Sequence, residues 1–207
     1  MGRGREIKRR EGNEIEFSRI VAFSDGVFAV AITLLALNLS IDADVPKDEV
    51  ADAIWDQREN FLAYAISFAV VGRFWLVHHR FFGEVKAFDG RLISLNILYL
   101  SFIVLIPFSS QVLGDFGGET ASVVVYAVNL AAVVLIGQWM IADARGAGLT
   151  TIDAASHRES RIRSAYIASV FLASIPLAFV APSFAPLLWL VLFFDPSERI
   201  VRRGAPG

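Results

Sequence analysis

Three groups of side chains in this 207-residue sequence have types and spacing that could do chemistry, and all sit in or beside long apolar blocks. Asp25 lies six residues after Arg19 and directly after Ser24, and His78 and His79 are adjacent about fifty residues later. An ionisable group inside an apolar block is costly to bury, so it needs a partner or a function. An Arg–Asp–His cluster at one depth would satisfy buried charges and clamp two helices, or would gate or sense pH. A metal site is disfavoured, because adjacent histidines on a helix point in different directions. The sequence has no cysteine, which removes disulfides, thiolate metal sites and cysteine nucleophiles. It also lacks a serine elbow, a zinc signature and a carboxylate pair, so no enzyme is expected and no catalytic residue is assigned.

The second group is an apolar stripe. Val30, Leu34, Leu37 and Ile41 follow i, i+4, i+7, i+11 spacing and share a helix face, with Thr33 beside them. Gly26, Ala29, Ala31 and Ala36 are small and suit close helix packing. Physics alone leaves this stripe facing lipid or packed against neighbouring helices. The third group is acidic. Asp42, Asp44, Asp48, Glu49, Asp52, Asp56 and Glu59 crowd one loop and the helix start after it, and Asp115 and Glu119 flank another. They read either as solvated loop charges or as a vestibule whose negative potential concentrates cations.

The elements that position these groups are membrane spans. A span needs about 20 mostly apolar residues. Such runs fall at about 20–41, 53–82 (apolar centre 61–77), 92–113, 121–141 and 162–180. A last run, Ser183–Phe194, has only 12 residues and is short for a span. Of the 19 Lys and Arg residues, 16 fall on one side if six spans are counted, against Lys47 and Arg58 on the other and Arg73 inside a span. That asymmetry puts both termini in the cytoplasm. Five spans would carry Arg199, Arg202 and Arg203 to the wrong side, so the fold expected is an all-α membrane protein with six transmembrane helices. Its divisions are a cytoplasmic arm over 1–18, a membrane domain over 19–195 and a cytoplasmic tail over 196–207. The basic segment Met1–Arg10 has no apolar core followed by a cleavage site, and reads as an arm, not a signal peptide. The helices do not divide into similar halves, as they do in repeat-built transporters.

Arg19, then Phe23-Ser24-Asp25-Gly26 and the run to Thr33, closely resemble the opening signature of the prokaryotic transmembrane-protein-175 potassium channels. Trp75, His78-His79-Arg80, Asn96 and Pro107-Phe108 resemble further landmarks of that family. The resemblance implies a homotetramer in a bacterial plasma membrane, with four copies of the first helix lining a central pore. It implies contact with lipid and monovalent cations, no nucleic acid and no cofactor, potassium being the permeant ion. It places hydrophobic constriction layers on Val30, Leu34 and Leu37, and a hydroxyl ring for selectivity on Thr33. It assigns Arg19, Ser24, Asp25 and His78 (or His79) to a structural network. Isoleucine or leucine is common in the family where this chain has Val30, which widens that ring. The sequence has no Thr-Val-Gly-Tyr-Gly filter loop, so weak potassium preference is expected. The alternatives are a proton-coupled secondary transporter using Asp25 and the second-helix histidines, and a non-conducting scaffold.

Overall fold

The computed structural model describes residues 5–41 and 44–193, with the side chains of all but 38, 59, 62, 63 and 193. Asp42, the basic residues Arg3, Arg199, Arg202 and Arg203, and the proposed tail 196–207 lie outside the described residues. The elements are β1 (Lys8–Arg9), α1 (Glu14–Leu35) with a 3-10 turn over Ala36–Asn38, α2 (Val50–Asp56), α3 (Arg58–Gly83), β2 (Ala87–Phe88), α4 (Gly90–Val104), α5 (Ile106–Asp115), α6 (Thr120–Gly146) and α7 (Ala154–Ala178), followed by a 3-10 segment over Ala185–Phe193.

The helices α1, α6 and the combined stretch Gly90–Asp115 are long and apolar enough to cross a membrane. α3 and α7, at 26 and 25 residues, have the length but carry charge along part of it. At about 1.5 Å per residue, both exceed a bilayer's roughly 30 Å apolar core. The first helix begins at Glu14, five residues before the expected membrane domain. The second expected span divides at Gln57 into α2 and α3. The last apolar run is no α-helix over its described residues. It forms the nine-residue 3-10 segment, Ala185–Phe193, which the tighter 3-10 geometry extends to about 18 Å.

The third span breaks at Leu105, and its cause lies two residues on. Pro107 has no N–H, and its ring crowds the preceding turn. Asn129 of α6 fills the gap. With its amide nitrogen toward Phe102 O (3.2 Å) and its oxygen toward Ile106 N (3.3 Å), it bridges the two backbone groups that a continuous helix would join. Other ends are capped by ordinary means. Asp89 accepts from Leu92 N at 2.9 Å to start α4, and Asp153 accepts from Ser156 N at 2.7 Å to start α7. α6 ends in a Schellman motif. Gly148 at φ 69° supplies the left-handed residue, and the Leu149 N–H reaches Ala144 O at 2.8 Å.

α1 packs chiefly on α3, α4 and α5, α6 packs on α4 and α5, and α7 packs on α6. α1 therefore lies at one edge of the bundle and α7 at the other. Two main apolar clusters run through it. The larger contains Phe28, Leu35, Val71, Tyr99, Ile103 and Leu130, and the smaller Phe17, Phe82, Phe88, Leu92, Met140 and Leu149. Beyond the smaller cluster, three chain segments meet at one end. β1 pairs antiparallel with β2 in the register Lys8↔Phe88, Arg9↔Ala87, and Val85 bridges to Thr150 of the α6–α7 loop. The N-terminal arm and both of these loops, with the basic residues of the helix ends beside them, are thus on the same end of the bundle.

Candidate ion pathway and its anchoring network

α1 has two opposed faces. Phe17, Ser24, Phe28, Ala31 and Leu35 are buried against the bundle. Arg19, Phe23, Gly26, Val30, Thr33 and Leu37 are exposed, in alternating steps of four and three residues. The exposure is large for such apolar groups, 59% at Phe23, 55% at Val30 and 72% at Leu37. A Cβ added at Gly26 would meet nothing within 4 Å. The five steps from Arg19 to Leu37 average 3.6 residues, so these side chains form one straight stripe along the helix, a seam open to packing against another helix.

The expected constriction residues do not all sit alike. Val30 and Leu37 are on the seam, whereas Leu34 is half-buried on its flank. Leu37 belongs to the 3-10 turn beyond α1 proper. Thr33 is on the seam, and its hydroxyl donates to Val30 O at 2.8 Å. Its only hydrogen is thereby used, so the exposed hydroxyl offers lone pairs, which suit a cation.

The expected Arg19–Asp25–His78 cluster is replaced by two separate arrangements. Asp25 Oδ1 accepts from the Trp75 indole N–H at 2.9 Å. The buried His78 Nε2 lies 2.8 Å from Asn96 Oδ1, the Asn96 amide donates to Ser24 Oγ at 2.9 Å, and Ser24 donates to Ile20 O. His78 is enclosed by the rings of Phe82, Tyr99 and Phe28. His79 is exposed and stacks on Trp75, so neither histidine pairs with Asp25. Arg19 makes no ion pair among the described residues and stands on the exposed seam. The reason is geometric: six residues separate Arg19 from Asp25, about 600° of helical rotation, which turns them well away from each other.

Reasoning from charge missed the hub, because Asn96 and Trp75 are uncharged donors and acceptors. Ser24, His78 and Asn96 lie where the two apolar clusters meet, tying α1, α3 and α4 together. Phe23 was also missed as a seam residue.

At the basic end, Arg5 bridges Asp89 of the α3–α4 loop and Asp143 of α6, where Arg91 also binds at 2.9 Å. Burial opposes ionisation of Asp89, but the Arg5 guanidinium and the Leu92 N–H outweigh it and hold the carboxyl below its usual range. Arg10 lies over the Phe17 ring at 4.5 Å, which fastens the arm to the base of α1.

A bundle of membrane-length helices, with a buried hydrogen-bonded hub and one helix left bare along a packing seam, defines a polytopic helical membrane protein. The comparisons with known proteins narrow that class. A family model described as endosomal/lysosomal potassium channel TMEM175 matches residues 19–107, the stretch holding α1, α3 and α4. A potassium channel of Streptomyces collinus is 34% identical over 183 residues, covering 83% of this chain and 85% of that one. The endosomal/lysosomal proton channel TMEM175 of Gallus gallus is 36% identical over 110 residues, 49% of this chain and 22% of that longer protein. A lysosomal potassium-selective channel TMEM175 homolog from Chamaesiphon minutus, known from a crystal structure, superposes with a TM-score of 0.68 at 25% identity. The match covers 92% of this chain and 99% of that one. The chain belongs to the TMEM175 family.

Proposed function

We propose that the chain is the subunit of a homotetrameric, potassium-preferring and weakly selective cation channel, with four α1 seams facing a central pore. The observation that carries this reading is the bare, mostly apolar seam on α1, which contains Val30, Thr33 and Leu37 and lies at the edge of the bundle. In a fourfold arrangement, Val30 and Leu37 form apolar rings around the axis. A narrow apolar ring expels water, and an ion cannot cross it unhydrated, so the closed state needs no plug. A small rotation or dilation of α1 rewets it. The Thr33 lone pairs supply oxygens between the rings, and potassium, which dehydrates more easily than sodium, benefits more. No carbonyl cage is available, so the preference is modest. The positively charged end, with the arm and the arginine-bearing helix ends, faces the cytoplasm of a bacterial plasma membrane.

The names of the relatives support channel function. The transporter alternative needs a proton relay, and Asp25 and His78 belong to separate hydrogen-bonded groups. Planar-bilayer recording of the purified protein under opposed potassium and sodium gradients tests the reading. Single-channel steps with a reversal potential toward potassium are expected. Saturating transport that requires a proton gradient, with no channel steps, would replace the channel with a carrier.

A further inference from the structure

The seam between α6 and α7 at the basic end has a polar lining that the ion pathway does not use. Arg145 lies in the last turn of α6, and Arg158 and Arg161 lie in the first two turns of α7, ahead of its apolar stretch. All three are exposed and make no ion pair among the described residues. Arg145 and Arg161 both act electrostatically on His157, so the positive charges converge there. The acidic neighbour of Arg145 is Asp153, whose carboxylate already caps α7 through Ser156 N. Glu159, on the same helix, faces Arg163 at 3.6 Å.

Two buried nitrogens on this seam have no hydrogen-bond partner among the described residues, His157 Nδ1 and Gln138 Nε2. Gln138 Oε1 accepts from both Ser160 and Ser164, at 3.0 and 3.2 Å. In that orientation the amide leaves its NH2 to donate elsewhere. Gln138 and Arg145 are seven residues apart on α6, which puts the amide about 10 Å deeper than the arginine. Beside it, Trp139 is 49% exposed, an aromatic at the depth where such rings mark a membrane interface.

Donors therefore line this seam at two depths: guanidinium groups outside, and an orphaned amide further in. A phospholipid offers the complementary acceptors in the same order, a phosphate at the surface and ester carbonyls below it. We infer that the α6–α7 seam at Arg145, His157, Arg161 and Gln138 is a binding site for an anionic phospholipid, with its phosphate on the arginines and a glycerol-ester carbonyl on Gln138. Free phosphate would satisfy the outer groups only. The site is separate from the α1 seam and does not depend on the channel reading.

The test is native mass spectrometry of the full chain in detergent, supplemented with phosphatidylglycerol, phosphatidylcholine or inorganic phosphate. Wild-type protein is expected to retain phosphatidylglycerol over phosphatidylcholine. The pair Arg145→Gln and Arg161→Gln, both exposed, is expected to lower that retention about 10–30-fold. Arg73→Gln on α3, which removes one charge elsewhere, is expected to leave it unchanged. Gln138→Met removes the deeper donor and is expected to weaken phosphatidylglycerol retention while leaving the small effect of inorganic phosphate as it was. Equal retention of the two lipids by the wild type, or unchanged retention in the double variant, overturns the proposal. Displacement of phosphatidylglycerol by an equal concentration of inorganic phosphate also overturns it, in favour of a free-anion site.

Discussion

Trp75 donates its indole N–H to Asp25, and that single bond, 2.9 Å long, holds the one carboxylate of α1's membrane portion against α3. An Asp25→Asn side chain still presents an oxygen to the same donor, whereas Trp75→Phe removes the donor and leaves the carboxylate alone. Trp75→Phe is therefore the more damaging change, by about 1–3 kcal/mol. Thermal melts of the detergent-solubilised protein, followed by fluorescence-detected gel filtration, should rank the two in that order. An Asp25→Asn protein that melts lower would mean that the charge of Asp25, not the bond to Trp75, holds the helix.

Asn96 joins Ser24 to His78 at the junction of the two apolar clusters. Asn96→Leu fills similar volume but leaves a buried imidazole nitrogen without its partner and removes a bond to Ser24. A loss of about 2–4 kcal/mol is expected, larger than for a substitution at the exposed His79. Equal melting temperatures for Asn96→Leu and His79→Leu would show that the hub does not organise the bundle.

The seam residues separate function from stability. Val30→Ala and Leu37→Ala shorten exposed side chains, so they are expected to raise basal ion leak from potassium-loaded liposomes several-fold with little change in melting temperature. Leu34 is half-buried on the flank, and Leu34→Ala should lower stability by about 1–2 kcal/mol with a smaller effect on leak. Leak that rises only in Leu34→Ala would move the constriction off the seam.

How much of this was legible in the sequence depends on the kind of signal each feature leaves. Val30 and Leu37 repeat at helical spacing, so their shared face could be read directly. Which way that face points could not, because a stripe against lipid and a stripe around a pore have the same period. The spans were legible as apolar blocks, but the break at Leu105 was not placed, because its compensation by Asn129 comes from another helix. Ser24, His78 and Asn96 are bonded across 18 and 72 residues, and such contacts leave no periodic trace. Arg19 and Asp25 misled because opposite charge suggests pairing, while helical rotation sets them apart. The last apolar run had the right composition for a helix but too little length, and 3-10 geometry is what its described residues adopt.

The arm offers a pH-dependent prediction. Asp89 is held below the usual carboxylate range, so the Arg5–Asp89 bond is fully formed at neutral pH and is lost as pH falls through that lowered value. Hydrogen exchange at the Arg10 amide, which donates to Lys86 O, reports the arm's attachment. Protection should persist from neutral pH down into the mildly acidic range and fall only below it. Arg5→Ala should remove much of that protection already at neutral pH, by about tenfold or more, since a charge-assisted pair contributes about 1.5–3 kcal/mol. High salt should act in the same direction, because the Arg5 side chain is partly exposed and its bonds to Asp143 are screened. Protection that is indifferent to Arg5→Ala would assign the docking to the β1–β2 pairing alone.

Asn129 carries the last prediction. Its amide stands in for the backbone bond missing between Phe102 O and Ile106 N, inside a span where no water is available to replace it. Asn129→Leu strands both backbone groups and should cost several kcal/mol, enough to lower the yield of folded protein sharply. The loss should be relieved by Pro107→Ala, which returns an N–H to position 107 and lets the helix close toward a continuous ladder. The double variant Asn129→Leu with Pro107→Ala is thus expected to melt above Asn129→Leu alone. Strict additivity of the two changes would show that the proline break and the asparagine bridge are energetically independent, contrary to the geometry that joins them.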